Sequence, residues 1–428
     1  MFLYKYIWIY LVKWISLSII VGIGGGFSTY LLKELIKKVT KISVYFPLWS
    51  APIVGGLLVS VIYIWDRYAE GFGTNHYINS VNSNDGFLKF KTYLSKIVSS
   101  AFTLGFQGSG GYEGPLVMIG GSLGSVISRI PLVRNIISRE DIRILTICGA
   151  AGALGAIFHS PLGAGIFVVE VLYRSTLHYP ELFPAILSST MGYIIYSRLG
   201  SAGSLFNIPE VLPELPNVPW FILTGVLAGL AALLFMDLFD VIRVFFKEKK
   251  YSYKGYNLNP AIGGILTGLL MFLLPQVGGT GLNFIQEIIT GHLNFLFILI
   301  LIIAKILATS FTIGSGGSAG LVIPSLFIGA LSGNMLVGII GSTNAGFNIS
   351  LIIAGMAASF ASIANVPVAA AVMLIEMTGL QLGAPIVLGS VVGYTVAHRR
   401  IIYNTTYPDL GEFEQGKICR KKDRYMEM

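Results

Sequence analysis

Long apolar runs, separated by short polar or glycine-rich stretches, recur along the whole chain. Two examples are "FLFILILIIAKILATSF" at 295–311 and "PAILSSTMGYIIY" at 184–196. A membrane-spanning helix needs roughly 20 mostly apolar residues, so these runs predict transmembrane helices. Many runs are shorter than that, or are interrupted by glycine and proline. Because backbone that faces lipid must be hydrogen-bonded, such interruptions have to be buried in protein or line a polar cavity. The pattern therefore predicts an all-α, polytopic membrane protein with many tilted and broken helices.

Composition agrees with this prediction and excludes other classes of protein. Of the 428 residues, 54% are hydrophobic and only 12% are charged, and the mean hydropathy is +0.74. The net charge of +8 is concentrated in basic patches such as "RVFFKEKKYSYKGY", which are typical of the cytoplasmic side of a membrane and of contact with anionic lipid. We expect a multi-pass protein of the cell membrane with both termini in the cytoplasm. We expect no nucleic-acid partner, no metal and no cofactor.

The ends of the chain and its cysteines add little. The first apolar segment contains Lys13 and lacks a small-residue cleavage site, so we expect no removable signal peptide. Cys148 and Cys419 lie far apart in different settings and predict neither a disulfide nor a zinc site. We expect residues 1–428 to form one membrane domain, of which 404–428 is a short cytoplasmic tail.

An internal repeat organises the sequence. When "KIVSSAFTLGFQGSGGYEGPLVMIGGSLG" at 96–124 is placed over "KILATSFTIGSGGSAGLVIPSLFIGALSG" at 305–333, twelve of the 29 positions are identical. "PIVGGLL" pairs with "PAIGGIL", "GFGTN" with "GTGLN", and "SPLGAGIFVVE" with "VPVAAAVMLIE", in the same order. Four ordered blocks predict two repeated halves, about 15–205 and 215–403. Repeats with broken helices are typical of transporters, whose substrate site lies where the halves meet.

Each half contains an apolar helix, a glycine-rich break, a proline and a second helix. Proline fits the first turn of a helix, so "YEGPLVMIGG" and "LVIPSLFIGA" both predict helices that begin inside the membrane. The first N–H groups of such helices lack intrahelical partners, the dipole is positive there, and glycines let an ion approach the backbone. These ends are therefore candidate anion sites.

Neither break carries the Gly-Lys-Ser/Thr of a phosphate-binding loop, and neither contains a nucleophile with a paired base, so we expect no enzyme and no catalytic residue.

Glu113 is a lone acid at the first of these helix starts. A carboxylate is itself an anion, so it can occupy a site that also binds a mobile anion and leave it when protonated. Acids within membranes are costly and usually functional. The alternative is a carboxylate that only complements the helix dipole.

These motifs resemble the ClC family of chloride channels and proton-coupled chloride transporters, in its prokaryotic form without regulatory CBS domains. "GYEGP" at 111–115 resembles the Gly-Arg-Glu-Gly-Pro motif, "GLVIP" at 320–324 the Gly-x-Phe-x-Pro motif, and "GFGTN" at 71–75 falls where the first anion-binding motif lies. Lys96 lies where the family also carries a lysine. The resemblance covers nearly the whole chain and implies a homodimer, each subunit of which has its own pore built from two inverted halves.

The resemblance also implies roles for particular residues. Glu113 becomes the external gating glutamate, which also carries protons. Backbone N–H groups near Gly111 and Gly114, and those of Leu321 and Val322, would contact chloride. Tyr403 would be the tyrosine that closes the inner side of the ion site, and Tyr407 is the competing candidate. The alternative role for Tyr403 is that of an anchor at the membrane interface.

Several positions depart from the family's pattern. Phe72 stands at the motif serine and cannot donate a hydroxyl to the anion. Val171 stands where well-coupled members carry a second, inner proton glutamate. Glu170 is a substitute candidate, although one step along a helix turns a side chain by about 100°. The alternative for Glu170 is a structural acid that caps a neighbouring helix, because Glu376 occupies the matching place. His159 is a further relay candidate, or a hydrogen-bonded structural residue.

We therefore expect chloride transport, most simply in exchange for protons and with coupling weakened by Val171. A passive chloride channel and a fluoride/proton antiporter are the two alternatives, the latter because Phe72 removes the serine.

Overall fold

The computed structural model describes residues 2–173, 179–200, 203, 205–209, 217–249, 251–253, 255–291 and 293–403. The predicted tail at 404–428, with Tyr407 and Cys419, lies outside these residues. The prediction of an all-α protein is confirmed, with one two-stranded hairpin as an addition.

The helices of the first half have the following bounds. They are α1 (Phe2–Ser43), α2 (Ala51–Trp65), α3 (Thr74–Ser83), α4 (Phe90–Gly105), α5 (Glu113–Ile127), α6 (Pro131–Arg134), α7 (Arg139–Phe158), α8 (Pro161–Glu170) and α9 (Tyr179–Leu199). A short 3-10 turn, Arg67–Ala69, lies between α2 and α3.

The second half begins with a long helix and the hairpin. Its elements are α10 (Val218–Glu248), β1 (Ser252–Tyr253), β2 (Tyr256–Asn257), α11 (Asn259–Leu273), α12 (Leu282–Thr290), α13 (Phe295–Gly314), α14 (Val322–Ile340), α15 (Ala345–Ala364), α16 (Pro367–Thr378) and α17 (Gly383–Ala397). The two strands pair antiparallel, and further 3-10 turns are Pro275–Val277 and Leu380–Leu382.

Helix lengths agree with the broken pattern of the sequence. Within the described part of the chain, seven helical stretches are long and apolar enough to cross a membrane: Tyr10–Ser43, Arg139–Phe158, Val218–Glu248, Phe295–Gly314, Val322–Ile340, Ala345–Ala364 and Leu380–Ala397. Five further apolar helices, α2, α5, α8, α11 and α16, have 10–17 residues. Since a full crossing needs roughly 20 residues, several of these shorter helices end inside the protein. This is where the glycine-rich breaks lie.

The two halves repeat the same order of helices. Except for α6, each helix of the first half has a counterpart in the second, from α1 with α10 to α9 with α17. For example, α5 begins at Glu113 and α14 begins at Val322, 209 residues later. The repeat blocks read from the sequence therefore correspond to repeated structure.

Contacts between the halves are reciprocal. The N–H of Gly111 donates to the carbonyl of Gly320, and the N–H of Gly320 donates to the carbonyl of Gly111, both at 2.8 Å. The hydroxyls of Ser100 and Ser318 lie 2.8 Å apart, and those of the matching Ser109 and Thr309 lie 3.0 Å apart. When the same contact occurs twice with its two partners exchanged, the two halves are related by a two-fold axis. The axis passes between the two breaks and brings both helix starts to one place.

Two carboxylates, of which Glu170 is buried and Glu376 is half-buried, join the halves in the same reciprocal way. Glu170, at the end of α8, accepts hydrogen bonds from two N–H groups in the first turn of α16, at 3.1 and 2.7 Å. Glu376, near the end of α16, accepts bonds from two N–H groups in the first turn of α8, at 3.1 and 2.8 Å. Each acid satisfies N–H groups that have no partner within their own helix, and each complements the positive end of that dipole. Glu170 is thus a helix cap between the halves.

Replacing Glu376 by Gln is expected to lower the free energy of unfolding by about 1–3 kcal/mol, because one N–H then loses its charged acceptor inside the protein. Thermal unfolding in detergent measures this effect. The matched variant Glu170→Gln should lose a comparable amount, and Glu34→Gln, which changes an acid in a surface ion pair, should lose little. Equal stability of all three variants would contradict a capping role.

The helices that carry the site cross their neighbours at glycines. A Cβ added to Gly149 on α7 would lie 2.0 Å from the carbonyl oxygen of Gly120 on α5. In the second half, a Cβ on Gly355 of α15 would lie 2.3 Å from the carbonyl oxygen of Gly329 on α14. Close crossing at small residues is the usual way in which helices pack within membranes. It holds α5 against α7 and α14 against α15.

Candidate ion pathway

Glu113 begins α5 inside the protein, and its side chain is only 1% exposed. Its carboxylate lies between the two breaks, against Gly111 and Gly320. A Cβ added to Gly320 would lie 2.1 Å from Oε1 of Glu113, and a Cβ added to Gly111 would lie 2.1 Å from Oε2. The two glycines thus leave a space that a carboxylate group fills and a larger residue would close.

The carboxylate is bound by the start of the matching helix in the other half. The N–H of Val322, the first residue of α14, donates to Oε1 at 2.5 Å. Leu321 directly precedes it as the N-cap residue. Oε2 accepts no hydrogen bond within the described residues. The carboxyl group of Glu113 therefore lies between two helix N-termini, in surroundings that favour negative charge.

Aromatic side chains lie next to this space. The rings of Phe72 and Tyr403 are 5.8 Å apart between centroids, and those of Phe72 and Phe239 are 6.2 Å apart. All three rings are buried, and Tyr403 is near enough to interact with the charge of Glu113 and with the hydroxyl of Thr74. The sequence-predicted residues Glu113, Phe72 and Tyr403 are thus brought together.

The loop that carries Phe72 is held by a buried lysine. The ammonium of Lys96 donates to the carbonyl of Ala69 at 3.0 Å and to that of Gly71. In the second half, Lys305 holds the equivalent loop through two carbonyls, at 3.0 and 3.3 Å. The carbonyl of Phe72 then packs against Gly114, where an added Cβ would lie 2.2 Å from its oxygen. Gly114 is therefore a packing position as well as a member of the motif.

A cavity of about 610 Å³ opens beside Phe72. Its lining includes the cationic side chains of Arg67, Arg243 and Lys247, together with the carboxylate of Glu70. Cavities lined mainly by one sign of charge raise the local concentration of the opposite ion. The cavity can therefore collect anions at the aromatic side of the site.

Sequence reasoning missed two residues of α10: Arg243, which lines this cavity, and Phe239, whose ring packs against Phe72. The guanidinium of Arg243 lies over the ring of Phe239, 5.8 Å from its centroid. Residues four apart on a helix share a face, and this spacing in "DLFDVIRVFF" was the available signal. It did not indicate which face meets the pathway.

The inner proton candidates do not form one group. Val171 directly follows α8 and is buried, with Glu170 beside it as the helix cap described above. His159 lies at the other end of α8, where it ends α7 with φ of +52° and packs between the rings of Tyr193 and Tyr196. A ten-residue helix is about 15 Å long, so α8 separates His159 from Val171 by about that distance.

The fold and the site define a multi-pass membrane protein in which two repeats place broken helix ends around the Glu113 carboxylate. The family described as voltage gated chloride channel matches residues 55–398. The chain belongs to this family, the ClC family.

Relatives match over most of their length. An uncharacterized protein of Methanocaldococcus jannaschii is 31% identical over 404 residues, which cover 92% of this chain and 96% of the relative. The H(+)/Cl(-) exchange transporter ClcA of Vibrio cholerae is 29% identical over 385 residues, or 85% of this chain and 81% of that one.

Solved structures share the fold. A CLC-type fluoride/proton antiporter superposes with a TM-score of 0.79 at 22% identity, covering 92% of this chain and 98% of that chain. A slow cyanobacterial Cl-/H+ antiporter gives a TM-score of 0.77 at 21% identity, covering 91% and 94%. The prediction of the ClC fold is confirmed.

Proposed function

We propose that the protein carries chloride across the membrane in exchange for protons, with Glu113 as the gate and the outer proton carrier. The observation that carries this proposal is the position of the Glu113 carboxylate, which lies at the N-terminus of α14 where an anion would bind. Ionised, the carboxylate competes with chloride, and protonated or displaced it vacates the site. The name of the Vibrio cholerae relative, an H(+)/Cl(-) exchange transporter, supports the same activity.

Chloride would be held by backbone dipoles rather than by a full positive charge. We assign the N–H groups at the start of α5 near Gly114, and those of Leu321 and Val322, as its donors, with Tyr403 on the inner side. Gly111 lines the space, but its own N–H is bonded to the carbonyl of Gly320. Weak, divided contacts of this kind let an ion enter and also leave. Phe72 supplies no hydroxyl, so anion binding next to it is weaker than in members that carry serine there.

The proposal includes the assembly that the family implies. One membrane domain, with repeat halves at about 15–205 and 215–403, would form a homodimer in the cell membrane with both termini in the cytoplasm. Val171 leaves the inner proton route without its usual acid, and weakened coupling is the consequence.

Purified protein in liposomes tests the exchange. We expect a chloride gradient to drive protons against their own gradient, measured with pH and chloride electrodes in parallel. Chloride flux that collapses the gradient without proton movement would instead support the passive channel.

Fluoride/proton antiport is the second candidate, favoured by the phenylalanine at position 72. The same liposomes loaded in turn with chloride, fluoride and nitrate separate the two candidates. Chloride/proton exchange requires that a chloride gradient drives protons in the opposite direction. Fluoride/proton antiport requires that a fluoride gradient does so and that a chloride gradient drives no protons.

A further inference from the structure

Glu181 is a buried acid that the proposed transport cycle does not yet use. It lies in the first turn of α9 and is 4% exposed. Its Oε1 is 2.8 Å from the guanidinium of Arg143 on α7. The hydroxyl of Tyr173 lies 3.0 Å from both of its carboxylate oxygens. Charged side chains are seldom buried without a specific reason.

Tyr173 connects this acid to a small cavity on the way to the ion site. The cavity is lined by Val171, Tyr173, Asn365 and Tyr403, among others, and has about 10 Å³ of space for the centre of a water molecule. That is close to the space that one water needs. Val171, where the inner proton acid is missing, thus lies in the wall between Glu181 and Tyr403.

Asn365 gives this cavity a polar wall. Its side-chain oxygen Oδ1 is buried and accepts no hydrogen bond in the part of the chain that the structure describes. A buried oxygen without a donor is costly, and a single ordered water is the usual remedy. On the far side of the cavity, Tyr403 is close enough to Glu113 to interact with its charge.

We propose that Glu181 is the inner proton-binding residue of this protein and takes over the role that Val171 cannot perform. This inference rests on the chloride/proton exchange proposed above. A proton on the Glu181 carboxyl passes to the Tyr173 hydroxyl as Tyr173 releases its own proton to the water at Asn365. The water passes a proton to Tyr403, which releases one toward Glu113. Each hydroxyl gains one proton and loses one, so only the proton is displaced.

The charges around Glu181 determine how it would behave. Arg143 on α7 stabilises its ionised form, and Tyr173, Tyr77 on α3 and Cys148 on α7 also face its charge. A merely structural pair between α7 and α9 would act differently, because its loss would reduce chloride and proton movement together.

Replacing Glu181 by Gln tests the proposal in liposomes, with chloride and proton movement measured on the same sample. We expect proton movement to fall by about tenfold or more while chloride flux stays within about twofold of the unmodified protein, since an amide cannot take up and release the proton. Glu140→Gln, which changes an exposed acid in the first turn of α7, is the matched control and should retain both fluxes.

Two further variants distinguish a loss of proton transfer from a folding defect. Tyr173→Phe keeps the ring and removes the hydroxyl, so it should also lower proton movement relative to chloride flux. Val171→Glu added to Glu181→Gln should restore proton movement, because it adds to the wall of the same cavity an acid that, unlike the neighbouring Glu170, does not cap α16. Loss of both fluxes in Glu181→Gln and Tyr173→Phe, with no rescue, would mean a structural role and overturn the inference.

The outcome also separates this inference from the proposed function. If the unmodified protein moves chloride without protons, the exchange itself is wrong and the inference falls with it. If the unmodified protein exchanges and Glu181→Gln exchanges at the same proton-to-chloride ratio, the exchange stands and Glu181 is not its inner proton residue.

Discussion

Replacing Glu113 by Gln is expected to abolish proton movement while chloride flux is kept or increased. The amide has nearly the shape of the carboxylate, but it neither carries a proton nor competes as an anion for the N–H of Val322. Glu113→Ala should do the same and raise chloride flux further, because it also empties the space between Gly111 and Gly320. Both variants should lose the pH dependence that protonation of Glu113 gives to chloride flux. Liposome flux measured over a range of pH checks all three expectations.

The control for this prediction is Glu287→Gln, which changes an exposed acid on α12 and should leave both fluxes as they are. Proton pumping by Glu113→Gln at the unmodified rate would show that another group carries the outer proton. The helix-dipole interpretation would then remain for Glu113, and that interpretation predicts a loss of stability without a change of coupling.

The fold could be predicted from the repeat because the repeated residues make equivalent structural contacts in both halves. Lys96 and Lys305 were matched by alignment, and they hold the loops that precede α3 and α12, respectively. Gly111 and Gly320 were matched in the same way and exchange their backbone hydrogen bonds. When identical residues perform identical packing in two copies, the sequence retains the repeat.

Contacts between segments that are distant in the chain were harder to predict from the sequence. A cap on a neighbouring helix was one of the two interpretations of Glu170, and the structure confirms that contact. His159 could not be placed relative to Val171 without knowing that α8 runs between them. Nothing in the sequence singled out Glu181, because its ion pair is with Arg143, 38 residues earlier in the chain.

The same limit applies to the space around the carboxylate. The resemblance implied that Gly111 and Gly114 lie at the ion site, but the sequence did not indicate that Gly320 packs against the Glu113 carboxylate. In the structure Gly111 and Gly320 alone among the described glycines would place an added Cβ as near as 2.1 Å to the Glu113 carboxylate. The two lie opposite each other, one from each half, so the symmetry of the fold itself creates the site.

Gly320→Ala is therefore expected to reduce chloride transport by about tenfold or more, since shifts of about 1 Å at a tightly built site have effects of this size. The new methyl group would lie 2.1 Å from Oε1 of Glu113 and would displace either the carboxylate or the chloride that replaces it. Gly338→Ala is the matched control, because it lies on the same helix, α14, and an added Cβ there meets nothing within 4 Å. Chloride flux in liposomes, together with thermal unfolding to verify that both variants are folded, measures the difference. A folded Gly320→Ala protein that transports chloride at the rate of Gly338→Ala would show that chloride does not pass through the space that the Glu113 carboxylate occupies.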